Sequence, residues 1–386
     1  MRIVRLGDIA TWGSGGTPAR SEPNHFGGGL PWLSVAELND AFVASSKETL
    51  SESGLTSSSA KLIPPGSILV AMYASVGKLG ITQAEVTTSQ AVAHGIINRS
   101  IASTRYIYHY LLHQRPQIRR FARGVTQKNI GLADLRGWPV PLPSLDEQER
   151  IVKVLDQADL LRAKRRQTLN HLDELGQSLF FDVFGDLATA RRGRGVMRIG
   201  DLARGSQYGT ATKASADDAV PILRMGNITD SGRIDTSDVK YVNLRESELP
   251  KYTVQRGDLL FNRTNSFEKV GKAAVVRSEP GWAYAGYLVR VRFESPEWAE
   301  YVSGFLRSPD GIRLRKAAAK TAVNQANINA QEMLSFPIPR VTEELVMKYT
   351  RALEEIERRR AANVRCLTIS EQLFASLQSR AFRGEL

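Results

Sequence analysis

The chain carries one pattern twice. Arg5-Leu6-Gly7-Asp8-Ile9-Ala10 returns as Arg198-Ile199-Gly200-Asp201-Leu202-Ala203. Leu30-Pro31-Trp32-Leu33 returns as Val220-Pro221-Ile222-Leu223, and Pro65-Gly66-Ser67-Ile68-Leu69 as Arg256-Gly257-Asp258-Leu259-Leu260. Val76-Gly77-Lys78 matches Val270-Gly271-Lys272, and Thr126-Gln127-Lys128-Asn129-Ile130 matches Asn324-Gln325-Ala326-Asn327-Ile328. Trp138-Pro139-Val140-Pro141 matches Phe336-Pro337-Ile338-Pro339. The matches are collinear, at an offset of 190 to 198 residues. Chance does not keep six matches in order across half a chain, so the protein is two copies of one unit.

Each unit has two parts. The first mixes short β-rich runs, such as Ile68-Leu69-Val70-Ala71, with turns marked by Gly and Pro, and adds helical stretches at Tyr106 to Phe121 and Trp298 to Ala319. The second is one long helix. Ser144 with Glu147 forms a capping box, and Leu155, Ala158, Leu161, Leu169, Leu172, Leu175 and Leu179 follow at a spacing of three to four. In the second copy Thr342 caps, and Leu345, Tyr349, Leu353, Ile356, Val364, Leu367, Phe374 and Leu377 follow. Apolar seams of about 40 residues predict coiled-coil packing, most economically of the two helices with each other. The boundaries read as globule 1–143, helix 144–184, polar link 185–196 with Arg191, Arg192 and Arg194, globule 197–341 and helix 342–386. The fold class is α+β.

Charge narrows the partner. Lys and Arg number 52 against 40 Asp and Glu, a formal net charge of +12. That sign and size favour a polyanion, most often nucleic acid. A single cysteine, Cys366, excludes a disulfide framework and a Cys-based zinc site. Nothing approaches the ~18 apolar residues in a row of a membrane span, so a soluble cytoplasmic protein is expected.

Catalytic motifs are not found. The Gly77-Lys78 and Gly271-Lys272 pairs lack the Gly five residues earlier that shapes a phosphate loop. The one Pro-Pro, Pro64-Pro65, lacks the flanks of an amino-methyltransferase motif. His109 and His113 stand one helical turn apart without a further metal ligand, and a structural or surface role is expected of them. No catalytic residue and no metal site is assigned.

The basic residues are clustered. Arg115, Arg119, Arg120, Arg123 and Lys128 fall in a stretch without acidic residues, and Arg313, Arg315, Lys316 and Lys320 occupy the corresponding place in the second copy. Amides lie beside them: Gln127 and Asn129 in one copy, Asn324, Gln325 and Asn327 in the other. Cations neutralise phosphates, and Asn, Gln and Arg can bridge base edges. With Lys78, Arg263 and Lys272, these are the candidate DNA-binding residues, although each amide alone also suits a turn. The first long helix, by contrast, carries six basic and eight acidic residues and is better suited to holding a protein. Leu155, Leu161, Leu169, Leu172, Leu179, Leu353, Ile356, Leu367 and Leu377 are the candidate helix-seam and partner-binding residues.

The run from Trp138 to Val152, with Pro141-Leu142-Pro143-Ser144-Leu145-Asp146-Glu147-Gln148-Glu149-Arg150 at its centre, resembles the junction of a type I restriction-modification specificity subunit. The closing Arg380-Ala381-Phe382-Arg383-Gly384-Glu385-Leu386 is similar to that family's ending, and so is the order domain, helix, domain, helix. The second junction, Pro337 to Leu345, departs from it by lacking Glu-Gln-Glu-Arg. The resemblance implies two similar target-recognition domains related by a pseudo-twofold repeat, separated by helices packed as an antiparallel coiled coil. Each domain would read half of a bipartite, asymmetric site in double-stranded DNA. Two modification subunits would bind around the helices and methylate adenine with S-adenosylmethionine, and motor-nuclease restriction subunits using ATP and Mg could join. This chain would hold no cofactor. The alternatives are a stand-alone bivalent DNA-binding coiled-coil protein without a methyltransferase partner, and an enzyme with an unfamiliar site.

Overall fold

The computed structural model describes residues 2–124, 128–185, 195–214, 219–278, 281–322 and 325–386. It divides into two units, Met1–Arg165 with Arg365–Leu386, and Arg166–Val364. Most of the link carrying Arg191, Arg192 and Arg194 lies outside the described residues.

In the first unit Ile68–Ala71 is buried along its whole length, as a strand covered on both faces must be. It lies at the centre of a five-stranded sheet ordered Ala10–Ser14, Val92–Ile97, Ile68–Ala71, Leu79–Thr82, Ala41–Val43. Side chains alternate across a strand. Ile68 and Val70 therefore enter the core shared with the helix Thr104–Phe121, and Leu69 and Ala71 the core shared with Leu33, Leu38 and Val86. A three-stranded sheet, Glu48–Leu50, Phe26–Leu33, Thr87–Thr88, and the pair Arg2–Arg5 with Pro139–Leu142 complete the unit's strands. The proline-bearing strand cannot donate at Pro139 or Pro141, and a two-stranded edge suits it. The carbonyls of those prolines accept from the hydroxyls of Tyr110 and Tyr106, at 2.5 and 2.6 Å.

The second unit repeats the plan. Its four-stranded sheet is ordered Ala203–Tyr208, Leu288–Phe293, Leu259–Asn262, Ala273–Val275, its small sheet Lys240–Val242, Val220–Leu223, Ala283–Tyr284, and its end pair Val196–Arg198 with Pro337–Pro339. Tyr301 donates to the Pro339 carbonyl at 2.7 Å, as Tyr106 does to Pro141.

The first long helix is Leu145–Phe184 and the second Glu343–Arg383. Ser144 Oγ accepts the Glu147 N–H and Thr342 Oγ1 the Leu345 N–H, each at 3.4 Å. Gln148 explains the junction motif. Its amide is fully buried, accepts the Ser103 N–H at 2.8 Å and donates to the carbonyls of Pro143 and Ile101 at 3.0 and 3.2 Å. It thereby satisfies a six-residue loop, 98–103, that precedes the helix Thr104–Phe121. In the second unit the corresponding loop is only two residues, Glu294 and Ser295, and the aligned position holds the buried, apolar Val346. The absence of the glutamine at the second junction thus goes with the shorter loop. Gln148→Ala is expected to destabilise the first unit by about 1–3 kcal/mol, the cost of stranding buried polar groups, read by urea denaturation.

Within the first unit, Arg150 reaches the Leu386 carbonyl and Arg162 lies 4.0 Å over the Phe374 ring, so the two helical segments run antiparallel. Within the second, Asp173 meets Arg360 at 2.9 Å and Gly176 faces Leu353, again antiparallel. Leu155, Leu353 and Ile356 are buried, and Leu169, Leu172, Leu179, Leu367 and Leu377 are half-buried. Leu161 is not a seam residue: it is 42 % exposed. The stripe runs Ile151, Leu155, Ala158, Arg162, and Leu161 lies a residue, about 100°, out of phase with it.

A polar cluster ties the second unit's sheet region to its helices. Arg233, 9 % exposed, donates to Asp173 at 2.6 Å and to Glu357 at 2.7 Å. Burial alone would raise the Glu357 carboxyl, but the Arg233 hydrogen bond with Arg277 and Arg360 nearby holds it below its ordinary value. Arg233→Met is expected to cost about 3 kcal/mol, the lower end for stripping a buried pair, because Arg360 still faces Asp173. A lowered folded-state value means that Glu357 contributes fully above the unfolded value of about 4.3, and that this contribution is lost as the pH falls through the folded value. Urea midpoints measured between pH 3 and 7 should therefore fall less steeply towards acid in Arg233→Met than in the parent.

Candidate nucleic-acid interface

In each unit three segments meet at one edge of the main sheet: the turn after the central strand, the end of a helix and the amide segment. In the first unit Arg119 Nε donates to the Val76 carbonyl at 3.0 Å and Arg115 Nε to Gly77 at 2.7 Å. Gly77 has φ +79°, and a Cβ there would come within 3.2 Å of Arg115, so the turn requires glycine. Arg123 and Asn129 exchange backbone hydrogen bonds of 2.9 and 2.8 Å, and Asn129 bridges to Tyr73. Arg119, Arg120, Arg123, Lys128 and Asn129 are exposed and Lys78 is half-buried. Gln127 lies outside the described residues.

The second unit differs in how its cations are engaged. Arg315 is not an exposed phosphate contact. It is 8 % exposed, packs on Gly271 and donates to the Val270 carbonyl at 3.3 Å, and burial pulls its guanidinium down to about 10. It lies over its glycine as Arg115 does in the first unit and reaches the valine carbonyl as Arg119 does there. Arg313 pairs with Asp310, Lys320 with Glu332 and Lys272 with Asp230, so none of these three is an unengaged cation. Asn327 accepts from Thr264 Oγ1 at 2.6 Å, Gln325 is exposed, and Asn324 lies outside the described residues.

The second unit also holds a groove of about 890 Å³ that includes Arg224, Arg263, Asn265, Lys269, Lys272 and Tyr287 in its walls. Arg224 pairs with Asp238 at 2.8 Å. Tyr287 is 51 % exposed and Tyr208, beside the groove, 40 %. Sequence reasoning missed Arg224, Lys269, Tyr208 and Tyr287. They come from a strand end and from loops separated in the chain, and their only local signals are aromatic-glycine pairs, Tyr208-Gly209 and Gly286-Tyr287. Cations, amides and exposed aromatics together can neutralise phosphates, read base edges and stack on them.

Among the described residues neither candidate histidine stands in a group of three possible metal ligands. His109 is fully buried with Nε2 2.6 Å from Asp156, and His113 lies against Phe382, where burial and Arg383 lower its pKa. Burial would raise Asp156, but hydrogen bonds from His109 and Arg105 keep its carboxyl low. Among the described residues no group of three His, Cys, Asp or Glu could hold a metal ion, and no helix is long and apolar enough to cross a membrane.

Residues 1–172 match the family model of the type I restriction modification DNA specificity domain. The EcoKI specificity subunit of Escherichia coli K12 is 26% identical over 357 residues, 84% of this chain and 75% of that one. Both matches liken the chain to type I restriction-modification specificity subunits, the family model over its first 172 residues. The EcoR124I/EcoR124II specificity subunit of Escherichia coli is 30% identical over 182 residues, 45% of each chain, so that match spans less than half of the relative. The S subunit from M. genitalium superposes with a TM-score of 0.58 at 13% identity, covering 99% of this chain and 96% of that one. A chain from a type I restriction-modification assembly superposes equally well, with a TM-score of 0.58 at 16% identity, covering 100% and 98%. At these identities the two structures establish that this chain shares their mixed α/β fold.

Proposed function

We propose that this chain is the DNA-reading specificity subunit of a type I restriction-modification complex and recognises a bipartite, asymmetric site in double-stranded DNA. The observation that carries this reading is the repeated edge. The same turn, helix end and amide segment recur in both units, and the side chains they present differ. One backbone frame used twice with different side chains suits two unlike half-sites.

In this reading residues 1–143 and 197–341 are the target-recognition domains, 185–196 links the two copies, and helices 144–184 and 342–386 form the antiparallel coiled-coil spacer of a pseudo-twofold molecule. Modification subunits dock along the helices, and Leu160, Leu161, Ile369 and Leu373 of the first unit, all exposed, supply apolar surface for them. The chain performs no chemistry itself. S-adenosylmethionine belongs to the modification subunits, and ATP and Mg to restriction subunits that join them. The setting is the cytoplasm.

The test is to purify the chain in complex with modification subunits and select bound duplexes from a randomised pool. Enrichment of two fixed half-sites at a fixed separation is expected. A purified complex that enriches no sequence would refute the reading, and selection by the chain without any bound modification subunit would favour a stand-alone DNA-binding protein.

A further inference from the structure

Arg263 and its counterpart Met72 occupy one backbone position in the two units. The Ile328 N–H donates to the Arg263 carbonyl at 2.9 Å, and the Ile130 N–H to the Met72 carbonyl at 3.0 Å. The Arg263 N–H donates to Tyr287 at 3.0 Å, and the Met72 N–H to Ala91 at 2.9 Å. A second position beside it is equally well matched. Gly209 N–H donates to Leu288 and Thr210 N–H to Tyr284, just as Gly15 does to Val92 and Gly16 to Thr88. Tyr208 therefore stands where Ser14 stands in the first unit. The frame is the same, and an Arg-Tyr pair in one unit replaces a Met-Ser pair in the other.

The pair is held ready. The Arg263 backbone is fixed on both sides, and its guanidinium lies 5.0 Å from the centroid of the Tyr208 ring. The Tyr208 hydroxyl accepts the Ala330 N–H at 3.1 Å, which fixes the ring. Arg263 lines the groove, and its buried Nε has no hydrogen-bond partner. It forms no ion pair among the described residues, whereas Lys272 and Arg224 beside it are held by Asp230 and Asp238. A planar guanidinium stacked on an aromatic and left unpaired matches the O6 and N7 acceptors of a guanine, which it can bridge bidentately. A phosphate contact does not need such fixed geometry.

We infer that Arg263, positioned by Tyr208, reads a guanine in the half-site of the second unit. This rests on the DNA-reading function proposed above. The experiment is selection of bound duplexes by the complex with modification subunits, for the parent, Arg263→Met and Arg263→Lys. The parent enriching no site would fail the general reading, not this one. With the parent active, Arg263→Met should lose one G·C requirement in one half-site while the other half-site is retained, which also reports that the chain is folded. Discrimination at that pair should fall by about 5- to 150-fold. Arg263→Lys keeps the charge but not the fork, and should also lose the guanine preference. An unchanged motif in either variant would overturn the inference. So would uniformly weaker binding with the salt slope lowered by about 0.9, which marks a phosphate contact. If Arg263→Met does not fold, the Lys variant alone decides.

Discussion

Phe180→Ala is expected to unfold the second unit more readily than any other single truncation in the long helices. Phe180 is 2 % exposed. Its ring centroid lies 4.8 Å from Phe184, 5.6 Å from Tyr349 and 5.9 Å from Tyr301. Those rings come from the first long helix, the second long helix and the helix Pro296–Arg307, so one side chain joins three elements. The fit has no slack on the fourth side. A Cβ at Gly304 would stand 2.5 Å from the Phe180 ring, so glycine is required beneath it. Removing a buried phenylalanine costs about 3–5 kcal/mol, from lost transfer energy and the cavity left behind. For a unit of this size that is a fall of roughly 10 °C in Tm. Differential scanning calorimetry of the whole chain checks it. A loss under about 1 kcal/mol would mean that the surrounding rings close over the gap and that the cluster does not hold the unit together.

Much of this architecture is legible in the sequence, for physical reasons that can be named. The repeat survives where geometry permits few residues: Gly77 and Gly271 both need positive φ, and both lie under an arginine, Arg115 and Arg315 respectively. The helix starts are legible because a cap needs a hydroxyl at one position, supplied by Ser144 and Thr342. Phase is harder. Counting apolar residues at a spacing of three to four admits Ala158 and Leu161 alike until a partner selects one stripe. Here an arginine, Arg162 over Phe374, fills a seam position that hydrophobicity would not assign. Charge is harder still. Arg315 and Arg119 belong to a basic cluster in the chain, but the fold uses both to cap the carbonyl of an equivalent valine, and buries one of them. Of the groove only Arg263 and Lys272 are legible, because Tyr208, Arg224, Lys269 and Tyr287 join them only after the sheet has formed.

Exchange of residues 1–143 for the same segment of a relative with a different target should replace one half-site completely and leave the other untouched. The segment carries its own sheets, and the polar edge of the first unit lies wholly within it. It is not free of the helices, however. Tyr106 and Tyr110 pack edge-on against Phe382 at 5.6 and 5.2 Å, His109 and Arg105 bind Asp156, and Gln148 holds the loop before Thr104. An incoming segment that preserves Tyr, His and Tyr at positions 106, 109 and 110, and a six-residue loop ahead of them, meets every one of these partners. One that lacks them strands the buried Gln148 amide, at about 1–3 kcal/mol, and removes the His109 hydrogen bond from Asp156, whose half-exposed carboxylate water can still solvate. Two chimaeras therefore separate seating from reading. Both should be assayed with modification subunits by selection of bound duplexes, and for stability by urea denaturation. The matched chimaera should be as stable as the parent and select the donor's half-site in place of the original. The unmatched one should lose stability and, where it still folds, select that same donor half-site, because the reading edge travels with the exchanged segment. A stable chimaera in which both half-sites change would show that the two recognition surfaces are not independent, and the assignment of one half-site to each domain would fall.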